Sequence, residues 1–74
     1  MPGVVSFPDI ERILEIVDRL GISREAVVIP LRPADPGRIG RVAGGKIEIV
    51  VDAREPFEKW LERVEAELRA LTAG

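Results

Sequence analysis

The stretch Arg38-Ile39-Gly40-Arg41-Val42-Ala43-Gly44-Gly45-Lys46-Ile47-Glu48-Ile49-Val50-Val51 decides the fold. Two runs rich in β-branched residues flank a pair of glycines. That is the pattern of a β-hairpin whose glycines supply the positive φ angles of a primed two-residue turn. With Ala43 facing Lys46, Val42 faces Ile47, Gly40 faces Ile49 and Arg38 faces Val51, while Arg41 meets Glu48 and Ile39 meets Val50. This register gathers Val42, Ile47, Ile49 and Val51 on one side of the sheet and places an Arg41–Glu48 ion pair on the other.

Upstream, Val27, Ile29 and Leu31 alternate within a strand expected over 26–32, and Pro30, which has no N–H to give a ladder, restricts it to a sheet edge. Arg32-Pro33-Ala34-Asp35-Pro36-Gly37 is a loop rich in turn formers that leads into the hairpin. Before it, Ser6 as N-cap and Pro8 in the first turn open a helix over 7–20. Its apolar stripe is Ile10, Ile13, Leu14, Val17 and Leu20, and Gly21 stops it with Ile22 folding back on Val17. A second helix over 56–71 opens at Pro56 and carries Phe57, Trp60, Leu61, Val64, Leu68 and Leu71 on one stripe. The expected fold is α+β: a single small domain over 1–74 in α-β-β-β-α order. Residues 1–5 form an N-terminal extension, and strands 26–32, 38–43 and 46–52 make a three-stranded antiparallel sheet with both helices on one face.

This order of elements is similar to that of double-stranded RNA-binding domains and of small ribonuclease toxins that share their fold. The resemblance implies a basic cluster at the start of the second helix, or a catalytic His in the toxins. This chain has the mixed run Arg54-Glu55-Pro56-Phe57-Glu58-Lys59 there and no His, so the resemblance bears on fold and not on activity.

The chain of 74 residues has neither Cys nor His. Disulfides, thiolate chemistry, the commonest metal ligand and the usual near-neutral acid–base group are thereby excluded. Ser6 and Ser23 occupy cap positions, Gly44-Gly45 is a turn with no helix behind it, and Glu58 and Glu62 belong to a solvated helix face. No catalytic, cofactor-binding or metal-binding residue is assigned, and an enzyme is not expected. No apolar run approaches the roughly 20 residues that cross a bilayer, and no leader pattern opens the chain, so the expected compartment is the cytoplasm. The absence of Asn and Gln and the dominance of Arg over Lys resemble a thermophile composition.

The 11 basic and 13 acidic residues give a net charge of −2, with a basic centre between acidic helices. Arg32, Arg38, Arg41 and Lys46 in the loop and hairpin support one reading, a phosphate or nucleic-acid contact. The favoured reading comes from the outer sheet face, where Val28, Ile39 and Val50 point away from the helices beside Arg41 and Glu48. An apolar row there makes the chain a small non-enzymatic interaction or regulatory module that self-associates, a two-fold dimer being the commonest outcome, or that meets another protein.

Overall fold

The computed structural model describes residues 4–73, so the extension expected over 1–5 lies outside the described residues at 1–3, as does Gly74. Helix α1 spans Phe7–Arg19, strand β1 Val27–Val28, strand β2 Arg38–Arg41, strand β3 Ile47–Val50 and helix α2 Phe57–Thr72, with a 3-10 turn at Arg24–Ala26. The domain is α+β, with two helices and a three-stranded mixed sheet.

Local chemistry sets the ends of α1. Ser6 Oγ accepts the Asp9 N–H at 3.2 Å, and Pro8 stands in the first turn, where its missing N–H has no intrahelical partner. At the other end Gly21 adopts φ 76°, the Ile22 N–H donates to the Val17 carbonyl at 3.0 Å and the Gly21 N–H to Asp18 at 3.0 Å. This pair of bonds is a Schellman ending, and it seats Ile22 against the core. Ser23 then caps the 3-10 turn through the Glu25 N–H.

The sheet order is β1-β3-β2, with β1 parallel to β3 and β2 antiparallel to it, which corrects the expected antiparallel meander. Pro30 has no N–H to give the ladder and ends β1, and the chain runs on beside β3 without reversing. Ala34 bridges Asp52: its N–H donates to the Val51 carbonyl at 2.9 Å, and its own carbonyl accepts the Ala53 N–H at 2.8 Å. Only then does the chain cross the end of β3 and return as β2 on the far side. The crossing needs Gly37, because a Cβ there would lie 2.5 Å from the Val50 carbonyl oxygen and 2.6 Å from the Asp52 backbone. The strand expected over 26–32 is correspondingly short, and Leu31 is exposed.

The hairpin tip holds the second correction. Gly44 has φ 83° and ψ 5°, and Gly45 has φ 77°. The Gly45 N–H donates to the Val42 carbonyl at 3.2 Å and the Val42 N–H donates to the Lys46 carbonyl at 2.8 Å. Gly44 is the third residue of a type II turn and Gly45 the left-handed residue of a G1 bulge, so Val42 opposes both Gly45 and Lys46. The loop uses three residues instead of two, and the pairing slips by one: Arg41 opposes Ile47, Gly40 opposes Glu48, Ile39 opposes Ile49 and Arg38 opposes Val50. Side chains alternate along a strand, so the slip exchanges the faces of β2.

One apolar cluster joins α1 (Ile13, Ile16, Val17), alternate residues Ile47, Ile49 and Val51 of the β3 segment, α2 (Trp60, Leu61, Val64, Leu68) and Val5. Val27, Ile29 and Ile39 pack against it. Burial of each large side chain contributes about 1.5–3 kcal/mol before chain entropy is subtracted. Ile16 belongs to this cluster and Leu14 does not, so the buried arc of α1 is rotated away from the stripe read from sequence.

Candidate interaction surface

The register change redistributes the residues expected on the outer sheet face. Ile39 turns toward the helices, and Val50 stays outside the main cluster yet is only 4% exposed. Val28 remains exposed. The three do not make one accessible apolar row. On the same outer face Arg38, not Arg41, pairs with Glu48, Nη2 to Oε1 at 3.2 Å.

The four cations expected to act together are also separated. Arg41 and Lys46 flank the hairpin tip, where Arg41 Nη2 donates to the Leu71 carbonyl at 3.4 Å, within the last turn of α2. Arg38 is held by Glu48. Arg32 lies on the stretch beside the other side of β3, next to Leu31, whose carbonyl accepts the Val5 N–H. No single phosphate group could engage all four in this arrangement.

Two polar clusters have structural explanations. Asp52 is a carboxylate only 5% exposed at the end of β3. Its Oδ1 accepts the Arg54 N–H at 2.7 Å, an Asx turn, and the Arg54 guanidinium approaches both carboxylate oxygens at 3.4 Å. These bonds, led by the Arg54 backbone N–H and joined by that of Gly37, hold the Asp52 pKa below the usual carboxylate range. Arg54 also reaches Asp35 at 3.2 Å, and Arg63 of α2 stands between Glu55 and Asp52. The cluster fastens the crossover loop, the end of β3 and α2 to one another. The other cluster spans the helices: Arg12 binds Glu58 through two bonds of 2.7 and 2.8 Å, and Arg19 binds Glu65 at 3.2 Å. The Arg12 hydrogen bond lowers the Glu58 pKa, and the Arg69 hydrogen bond does most to lower that of Glu65.

One surface among the described residues without a structural explanation is the flank of α1. Phe7 is 71% exposed, more than any other large apolar side chain among the described residues. It stands over a groove of about 400 Å³ lined by Ile10, Glu11, Leu14, Glu15 and Arg24. Phe7 and Leu14 are seven residues apart and therefore lie on one line along the helix, two turns from each other, with Ile10 between them. Arg24 closes the groove from the 3-10 turn and is fixed by Asp18 through bonds of 2.8 and 3.2 Å. That pairing raises the Arg24 pKa and lowers that of Asp18.

No family model, curated protein or solved structure matches this chain. Among the described residues, no helix is long and apolar enough to cross a membrane.

Sequence reasoning passed over Phe7 because it opens the helix, ahead of the repeating stripe. The available signal was its spacing: Phe7, Ile10 and Leu14 follow i, i+3, i+7 along a line beside the one that Ile13, Ile16 and Val17 bury.

Proposed function

We propose that this chain is a small non-enzymatic interaction module that pairs with a second copy of itself through the flank of α1. The supporting observation is Phe7, an exposed aromatic side chain standing beside a groove on its own helix in which Ile10 and Leu14 lie among Glu11, Glu15 and Arg24. A knob and a hole side by side on one surface are self-complementary under a two-fold axis. Antiparallel pairing of two α1 helices about a point near Ile10 sets Phe7 of each copy over Leu14 of the other. The same arrangement brings Glu15 to the N-terminus of the opposing helix, where the macrodipole favours an acid. Glu11 and Glu15 make no salt bridge among the described residues and are available for that role.

A standard interface buries about 800 Å² per partner. Helix α1 has 13 residues and is only about 20 Å long, so its flank alone falls short of that area and a reversible dimer is expected. Light scattering behind size exclusion tests the proposal. The wild type should approach twice the chain mass of 8.1 kDa as concentration rises through about the micromolar range. Phe7→Glu should remain a monomer with unchanged circular dichroism, since an acid in the first turn suits the helix. A monomeric wild type at millimolar concentration, or a folded Phe7→Glu variant that dimerises as well as wild type, refutes it.

A further inference from the structure

The free edge of β2 offers a second surface, unrelated to α1. Val42 directs both backbone groups at the β3 side of the hairpin, its N–H to Lys46 and its carbonyl to the Gly45 N–H. Antiparallel strands alternate between residues whose N–H and C=O face the partner and residues whose groups face away. Counting back from Val42, Gly40 and Arg38 address β3, while Ile39 and Arg41 present their N–H and C=O to the outer side. Beyond the sheet's own ladder, no backbone hydrogen bond among the described residues involves Ile39 or Arg41. The opposite side of the sheet is partly covered, because the Val5 N–H donates at 2.6 Å to Leu31 on the segment that continues β1. β2 thus presents an edge with open backbone groups at Ile39 and Arg41.

Its charge selects what could add to it. Arg41 and Lys46 make no salt bridge among the described residues, and Arg38 and Arg41 are both exposed. Two copies joined along this edge would bring the unpaired Arg41 of each to one seam, which disfavours self-pairing there. An extended segment with acids at alternate positions meets the opposite condition. It would take its backbone bonds from Ile39 and Arg41 and set a carboxylate beside the Arg41 guanidinium. We propose that the β2 edge binds an extended acidic peptide as a fourth strand.

The test uses the full chain and an end-blocked peptide of eight alternating valine and glutamate residues, with the valine–lysine peptide as control. Hydrogen exchange followed by NMR should show the Ile39 and Arg41 amides slowed at least tenfold at saturating acidic peptide and unchanged by the lysine peptide. Arg41→Gln, which keeps the N–H and loses the charge, should weaken binding about threefold and flatten its salt dependence. Arg41→Pro removes the outward donor as well, without touching the hairpin ladder, and should weaken binding tenfold or more. Phe7→Glu should bind like the wild type, which keeps this result separate from α1 pairing. The proposal fails if the acidic peptide leaves both amides unprotected, if the lysine peptide binds equally, or if Arg41→Pro binds undiminished. Protection that rises with protein concentration in the absence of peptide would assign the edge to a second copy and also overturn it. Should Arg41→Pro unfold, the wild-type exchange pattern and Arg41→Gln decide.

Discussion

Ile39 lies opposite Ile49 across the β2–β3 ladder, and both face the helices. The pairing exists because Gly45 takes a left-handed conformation and inserts one extra residue at the hairpin tip. From this one residue follow the inward turn of Ile39, the outward turn of Val42, and the direction in which the β2 edge presents its backbone.

Truncation separates the two β2 aliphatics. Ile39→Ala should cost about 1–2 kcal/mol, less than a fully buried position because Ile39 is only half-buried. Val42, 40% exposed, should tolerate alanine within about 0.5 kcal/mol. Denaturant titration of both variants checks the register, since a pairing displaced by one residue reverses the order.

Glycines at 37 and 40 should respond in opposite ways. A Cβ on Gly37 would lie 2.5 Å from a backbone oxygen that cannot move aside, so Gly37→Ala should destabilise by about 2 kcal/mol or more. A Cβ on Gly40 meets nothing within 4 Å, and Gly40→Ala should stay within about 0.5 kcal/mol of the wild type. Thermal unfolding distinguishes the pair readily.

Asp52 should contribute to an acid-sensitive part of the stability. Its pKa in the folded chain is lowered, led by the Arg54 backbone N–H, below an unfolded value of about 3.9. A group shifted down in this way stabilises the fold above its unfolded pKa, and that stability is lost as pH falls through the folded value. Asp52→Asn should therefore be less stable than the wild type at pH 7, and the difference should shrink below pH 4. Urea titrations at pH 7 and pH 3 measure it. A gap that stays constant with pH would remove Asp52 from the acid response.

The helices were legible in the chain because their determinants are local: Ser6 and Gly21 mark the ends of α1, and the spacing of Trp60, Leu61, Val64 and Leu68 marks the buried side of α2. The glycine pair was legible as a turn. Its type was not, because two adjacent glycines serve a two-residue primed turn and a type II turn with a G1 bulge equally well, and the difference inverts every side chain of β2. The parallel pairing of β1 with β3 joins residues 20 positions apart, Val27 with Ile47, and rests on the Gly37 crossing, which no local pattern specifies. Both outward-facing readings, the Val28–Ile39–Val50 row and the four-cation group, depended on that topology. Phe7 was visible as a residue but not as an exposed one.

The most direct test of α1 pairing is an isotope-filtered NOE experiment on an equal mixture of labelled and unlabelled chains at millimolar concentration. Cross-peaks between the Phe7 ring of one copy and the Leu14 or Ile10 methyls of the other are the expected result. Their absence, or intermolecular cross-peaks from Val28 in their place, would contradict pairing through the flank of α1.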